Sequence, residues 1–345
     1  RGLGDVYKRQ LVQFSEILHT KEGRMNLIDF HCDTLMRLYD IAQHPDSNES
    51  LWQNNGQIDV SRLLKSGYAA QFFACFLWLE GSCVKDSFYE DALAMVDILH
   101  HEIKRHPEHI AFAGNFKDYQ ENRKRHLLSA FLTVEEGGIL DGNLMRLDAL
   151  YEKGIRILTL TWNYENCIGY PNIIPKYRQK GLKPFGLDVV SRMEELGMII
   201  DVSHLSDGGF EDVFSHSKRP FIASHSNARE ILNHPRNLTD EMIRKIAEKG
   251  GVIGLNFGGE FLQKTGRSTV EAMLPHIRHI QNVGGHEVLA IGTDFDGVEE
   301  DMEIRGCQDM PYLIQALERH GLSASEIGGI CYENAEKFLK RYWEN

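Results

Sequence analysis

The stretch MIIDVSHLSDGGFEDVFSHSKRPFIASH, residues 198–225, decides the fold. It opens on an apolar run that ends in Asp201-Val202-Ser203-His204 and closes on a second that ends in Ser224-His225. Short apolar runs separated by a longer stretch of other pattern read as parallel strands joined by crossovers. Working outward, the same alternation runs from Met25 to the C-terminus. The strand candidates are residues 26–31, 68–78, 128–135, 156–161, 198–204, 220–225, 251–257 and 288–294. Eight is the number that closes a parallel barrel, and several runs are continuously apolar, as strands buried on both faces are. Helical patterns lie between them. Residues 86–105 carry Leu93, Val96, Ile98 and Leu99, and residues 140–153 carry Leu144, Leu147 and Leu150. Residues 239–249 open on Thr239 as an N-cap, with Met242, Ile243 and Ile246 on one side. Gly154, Gly197 and Gly250 follow helices, where the left-handed C-cap conformation favours glycine. The expected fold is α/β, a (β/α)8 TIM-type barrel.

The chain has 345 residues, and nothing resembling a linker or repeat divides it, so residues 25–345 read as one barrel domain. Residues 1–24 carry no periodic apolar face and are expected to lie outside it. A chain that starts at Met25 is therefore expected to fold and keep its activity. The net charge of −12 makes nucleic acid or an anionic membrane a poor partner, because phosphate binding needs clustered Lys and Arg. Cys32, Cys75, Cys83, Cys167, Cys307 and Cys331 are thinly spread and form no Cys-x-x-Cys pair. That pattern fits a reducing compartment, and with no secretory signal or membrane span visible the expected location is the cytoplasm. Residues 170–184, with three prolines, are expected to form part of a rim or lid.

In such a barrel the chemistry sits at the C-terminal ends of the strands. Five candidates end in titratable residues: Phe30-His31-Cys32-Asp33, Val134-Glu135-Glu136, Ser203-His204, Ser224-His225 and Thr293-Asp294-Phe295-Asp296. His31 and Asp33 are two apart and point the same way in an extended chain. His204 and His225 are 21 residues apart, about one strand-to-strand repeat. Neighbouring strands lie roughly 4.8 Å apart, so both imidazoles can reach one ion. Imidazole with carboxylate suits Zn²⁺, with Mn²⁺ or Co²⁺ as substitutes. A lone His at a strand end is usually a hydrogen-bonded core residue, and it is the joint placement that points to a metal site. His100, His101, His106 and His109 read as solvated, and His276 and His279 as surface residues. Cys32 alternates away from its neighbours and reads as a small buried residue.

With these residues in view, the chain resembles the membrane dipeptidase family. The likeness runs from about Asn26 to the C-terminus. It is carried by Asp29-Phe30-His31-Cys32-Asp33-Thr34, QIDVSRLLKSGYAAQFF (57–73), VEEGG (134–138), GIRILTLT (154–161), DVSHLS (201–206), SHSNA (224–228), Pro235-Arg236-Asn237 and GTDFDGV (292–298). The resemblance implies a binuclear centre with two Zn²⁺ per chain. His31 and Asp33 would hold one ion, Glu135 would bridge, and His204 and His225 would complete the second. Asp294 would act on the attacking water or the substrate amine, and Arg236 would meet the dipeptide's free carboxylate. Trp162 stands where animal members place a substrate-contacting His and is expected at the substrate. Gly258 stands where they place a Tyr. The family usually reads Val-Glu-Gly-Gly, so the extra acid Glu136 is the alternative bridge. Family members are often dimers, which makes a homodimer the expected assembly.

The implied reaction is hydrolysis of a free dipeptide by a bridging hydroxide, with Asp294 relaying a proton and Arg236 offering a planar fork to a carboxylate. The metal set alone leaves open another amidohydrolase-type reaction, such as deamination or hydrolysis of an N-acyl amino acid or lactam. A non-catalytic metal-binding barrel is the alternative from another class.

Overall fold

The computed structural model of the protein describes residues 26–42, 48–79, 86–298 and 301–344. Its strands are β1 (Leu27–Asp29), β2 (Tyr68–Phe76), β3 (Ile110–Phe112), β4 (Leu128–Glu135), β5 (Ile155–Thr159), β6 (Ile199–Asp201), β7 (Ile253–Leu255) and β8 (Leu289–Ile291). They form one sheet in the order β6-β5-β4-β2-β1-β8-β7, with β3 beside β4. Every strand pair is parallel. The two ends of the path are joined by a short segment, in which Ile222 bridges Asp201 of β6 and Ala223 bridges Ile253 of β7. Val202 N donates to Ile222 O at 2.8 Å and Gly254 N to Ala223 O at 2.8 Å. The sheet thereby closes as a barrel, with residues 222–223 as the sixth stave.

Two expectations change here. Residues 220–225 form no regular strand. Pro220 has no N–H to give a ladder, Ile222 N and Ala223 N still donate to Ile200 O and Val252 O, and side chains capture the amides beyond: Ser224 N donates to Asp201 Oδ1 at 2.8 Å and His225 N to Ser203 Oγ at 3.2 Å. Strand β3 was not expected, since three residues carry no readable period. It pairs with the first residues of β4, on the flank that β5 takes from Leu132 onward.

The barrel is filled. Ile28, Phe72, Phe131, Ile157, Ile199, Ile222 and Ala290 belong to one buried cluster, drawn from seven staves. Phe72 stacks on Phe30 at 4.8 Å and on Phe131 at 4.3 Å between ring centroids. Phe338, Leu339 and Tyr342 of the last helix, Asn334–Glu344, join the cluster. The hydroxyl of Tyr342 donates to Met198 O, and Trp343 Nε1 donates to Gly197 O at 3.1 Å, both just before β6. That helix therefore plugs the N-terminal mouth and leaves the C-terminal mouth for chemistry. Phe72→Ala is expected to cost about 3–5 kcal/mol, the range for deleting a large core aromatic, read as a shift in the denaturant midpoint. A shift of a few tenths would mean the aromatic layer does not hold the barrel.

The outward-facing strand residues, among them Leu158, Ile200, Leu255 and Ile291, pack with helix residues such as Leu99, Leu147, Val190 and Ile246. The helix Asp86–Arg105 forms over its full expected span. Thr239 caps the helix Asp240–Glu248 by accepting from Met242 N at 3.2 Å, and Gly250 beyond it has φ +73°.

His276 departs from its expected surface position. It is fully buried in the helix Val270–Gly284, with Nδ1 accepting from Ala228 N at 3.1 Å and Nε2 against Leu262 O at 2.9 Å. It ties the loops after residue 225 and after β7 to one helix. His279 is half-buried and meets Asp240 at 2.7 Å. His106, expected to be solvated, stacks on Trp52 at 4.1 Å. The proline-rich loop is fixed rim: Asn172 N donates to His204 O at 2.8 Å and Ser206 N to Tyr170 O at 2.9 Å. The expectation for residues 1–24 falls outside the described residues.

Candidate metal centre

β1 ends at Asp29 and β6 at Asp201, so His31 and His204 sit beyond their strands. His204 has φ +65° and Asp294 has φ +63°, a left-handed backbone that costs a non-glycine residue energy. Such strain at two strand ends of one mouth points to a functional site. The turn carries the His204 imidazole to where a continued strand would not.

The structure brings His31, Asp33, Glu135, His204, His225 and Asp294 together, all buried. Ligand atoms of His31, Asp33 and Glu135 lie within 4.8 Å of one another, and so do those of Glu135, His204 and His225. Glu135 belongs to both groups and divides its carboxylate between them. Oε2 is 3.0 Å from His31 Nε2, while Oε1 is 3.0 Å from His204 Nε2 and 3.6 Å from His225 Nε2. His31 Nε2 is also 3.5 Å from Asp33 Oδ2 and 3.7 Å from Asp294 Oδ1.

Glu136 points elsewhere. It has φ +142°, and its carboxylate accepts from Gly138 N at 2.7 Å, from Trp162 N at 3.0 Å and from Asn166 Nδ2. It pins the loop after β5 rather than joining the imidazoles. Burial pushes its carboxyl up to about 7.

The next layer orients the imidazoles. His204 Nδ1 meets Asn163 Oδ1 at 3.1 Å, an acceptor, so the proton sits on Nδ1 and Nε2 is bare. His225 Nδ1 meets Ser224 Oγ at 2.8 Å, and that hydroxyl donates to Asp201 Oδ2 at 2.6 Å. Its Nε2 is bare for the same reason. The two Nε2 atoms are 3.0 Å apart, so two lone pairs face each other. Burial holds both imidazoles well below their usual pKa, with His31 and Arg236 adding repulsion. At His31, burial opposes a charge but the Glu135 and Asp33 carboxylates outweigh it and raise the pKa. Burial raises Glu135 to about 7, with Asp33 and Asp294 adding to the push, and raises Asp294 too.

These groups fit a cation. His31 Nε2, Asp33 Oδ1 and Glu135 Oε1 are buried with no hydrogen-bond partner. Facing lone pairs and crowded carboxylates are costly alone and become ligands when a divalent ion sits between them. The donor set of imidazole nitrogen and carboxylate oxygen is one that Zn²⁺ accepts.

Arg236 is 3% exposed, so it is no surface arginine serving the following helix. Its Nη2 donates to His225 O at 3.2 Å, its guanidinium lies 5.4 Å over the Phe261 ring, and Nε and Nη1 are buried without partners. A Cβ at Gly258 would fall 2.8 Å from that ring, so glycine there leaves the space to Phe261. Trp162 is half-buried, with its ring 6.3 Å from that of His204.

Several supporting residues had no role assigned from sequence. Asp29, fully buried, accepts from Thr293 N at 2.9 Å and Thr293 Oγ1 at 2.7 Å, which fixes the segment leading into Asp294. Asn256 Nδ2 donates to Asp294 Oδ2 at 2.9 Å. A Cβ at Gly297 would fall 2.1 Å from Asp33 Oδ2, so only glycine leaves that carboxylate its place. The readable signal was position: Asp29 and Asp201 each stand two or three residues before a histidine at a strand end.

The geometry agrees with what this chain is similar to. Residues 15–343 match the model of the membrane dipeptidase family, peptidase family M19, a match that starts ahead of Met25. An uncharacterized dipeptidase of Schizosaccharomyces pombe is 29% identical over 329 residues, covering 91% of this chain and 80% of its own. A metallopeptidase from Rhodobacter sphaeroides, solved with a phosphinate mimic of the dipeptide L-Ala-D-Ala, superposes with a TM-score of 0.85 at 25% identity. That superposition covers 93% of this chain and all of the other. A second solved metallopeptidase of family M19, dipeptidase AC, has a TM-score of 0.85 at 27% identity, with 93% and 99% covered. With the family model matched over most of its length, the chain belongs to the membrane dipeptidase family and is a peptide hydrolase of that kind.

Proposed function

We propose that the protein hydrolyses free dipeptides with two Zn²⁺ ions, one held by His31, Asp33 and Glu135 and the other by Glu135, His204 and His225. The observation that carries this reading is the divided Glu135 carboxylate, one oxygen toward His31 and the other toward His204 and His225. Bound there, such ions supply Lewis acidity toward a carbonyl and make hydroxide available from water at neutral pH.

The chain's own residues do the rest. Asn163 and the Ser224–Asp201 pair hold the imidazoles in the tautomer that coordinates. Asn256 holds one Asp294 oxygen and leaves Oδ1, on the His31 side, to accept a proton from the attacking water and return it to the leaving amine. Arg236, with Nε and Nη1 unspent, would meet the substrate's terminal carboxylate. The filled, plugged barrel keeps water from reaching the site from below.

Among the described residues all five cysteines are unpaired, which supports a reducing compartment such as the cytoplasm. No described helix is long and apolar enough to cross a membrane.

The test is a panel of free dipeptides assayed with and without chelator and added Zn²⁺, alongside elemental analysis. About two metal ions per chain are expected, with activity lost on chelation and restored by Zn²⁺. His204→Ala or His225→Ala is expected to lose one ion. Metal-free protein whose turnover ignores chelators would overturn the reading.

A further inference from the structure

Trp78 is one of four exposed large apolar side chains among the described residues, with Met145, Ile231 and Tyr312. It is 60% exposed, whereas most large apolar side chains of the described residues are buried. A single exposed aromatic is ordinary on a protein surface. Trp78 is not single. Its ring lies 4.8 Å from Trp162 and 6.4 Å from Phe76, and Phe76 lies 4.9 Å from Trp162. The three come from two different strand ends, β2 and β5, which flank β4, where Glu135 pairs in register with Phe76 on one side and Thr159 on the other. Trp162 then continues to His204 at 6.3 Å. The result is an aromatic shelf at the open mouth of the barrel, on the His204 flank of the metal centre.

The shelf is built rather than accidental. Trp162 N is held by Glu136, and Asn163 is held by His204 Nδ1, so the backbone that carries the indole is fixed on both sides of the peptide. Leu77 N donates to Glu135 O at 3.1 Å, which fixes the segment leading to Trp78. Two indoles with different tilts, 58° between planes, leave one apolar face toward solvent at the mouth. Such a face, rigid and next to the reacting atoms, binds a large apolar or aromatic group by stacking and burial.

We infer that the shelf is a side-chain subsite, with Trp78 as its specificity-determining residue, and that it selects dipeptides carrying an aromatic or large aliphatic side chain. This rests on the dipeptidase reading above. The substrate's carboxylate has its own partner in Arg236 and the scissile bond faces the metal centre and Asp294, so the shelf is left to read a side chain. Opposite charge plays no part in it, and the preference is expected to persist at high salt.

The experiment measures kcat/KM of the Zn²⁺-loaded enzyme for Ala-Ala, Phe-Ala and Ala-Phe, with the wild type and Trp78→Ala. In the wild type one of the two aromatic dipeptides is expected to exceed Ala-Ala by about tenfold or more, the scale on which an apolar subsite discriminates. The ratio is expected to fall toward one in Trp78→Ala and to be largely kept in Trp78→Phe. As a readout independent of turnover, tryptophan emission is titrated with a phosphinate analogue of the preferred aromatic dipeptide. The analogue is expected to shift the emission of the wild type and to shift that of Trp78→Ala less. If the wild type cleaves no dipeptide at all, the dipeptidase reading fails. If Ala-Ala is cleaved but the aromatic ratio is near one, or is the same in Trp78→Ala, the dipeptidase stands and the shelf is overturned.

Discussion

Glu135→Gln is expected to lower kcat/KM by about a thousandfold, the scale of losing a principal electrostatic element of an active site, and to abolish paired metal binding. The amide keeps the shape of the side chain but gives up its negative charge, and one of its two arms becomes a donor. An –NH2 on the His204 side would aim its hydrogens at the two facing Nε2 lone pairs, or on the other side at His31. Either way one ion group loses an anionic ligand and gains a competitor for its imidazoles. Elemental analysis is expected to fall from about two ions to one or fewer. Glu136→Gln, by contrast, is expected to change metal content little. An amide keeps one accepting oxygen, so it can still serve Gly138 N or Trp162 N but not both, and the lost bond costs the loop that carries Trp162 rather than the imidazoles. Equal metal loss in the two variants, or loss only in Glu136→Gln, would reverse the assignment.

Arg236→Ala is expected to cost about 2–4 kcal/mol in transition-state stabilisation, because a buried charge-assisted pair leaves the substrate carboxylate without a partner. The mutation also removes the donor to His225 O and the cation over Phe261. A structural effect of that kind would weaken all substrates alike. The discriminating measurement therefore compares free dipeptides with their C-terminal amides. Free dipeptides are expected to be cleaved by the wild type and amides poorly or not at all, and Arg236→Ala is expected to narrow that gap. Equal rates on a dipeptide and its amide in the wild type would leave a metal hydrolase but remove the carboxylate clamp.

The barrel was readable because strands buried on both faces leave largely apolar runs such as those at 68–76 and 128–134, and because glycines close the helices between them. The gathering of His31, Asp33, Glu135, His204, His225 and Asp294 was readable because strand ends in a closed barrel converge on one mouth. Three things were not. The sixth stave looked like a strand by composition, yet Pro220 and the side chains of Asp201 and Ser203 cut its ladder to residues 222–223. His276 lies on a helix whose sequence mixes polar and apolar residues, and only tertiary contacts bury it. The left-handed backbone at His204 and Asp294 is invisible in composition, because histidine and aspartate reach it only when the fold compels them. For the two adjacent acids, alternation says that one faces away, and the surrounding donors decide which.

The join at residues 222–223 has a consequence for how the molecule opens. β2 and β4 share a run of seven register pairs. Between β6 and β7 there are isolated bridges at Ile222 and Ala223. His204 stands just past one lip of this seam and His225 just past the other, with their Nε2 atoms 3.0 Å apart. A cation shared by these imidazoles would act as a rivet across a thinly laddered course of the wall. Free energy of ligation would then appear as resistance to local opening, growing with the logarithm of free metal. Amide protons of Ile222, Ala223 and Gly254 would be the first to exchange with heavy water when metal is withdrawn, well before those of β2 and β4. The temperature at which the enzyme irreversibly inactivates would then be set by the metal supply around it as much as by the aromatic layer within it.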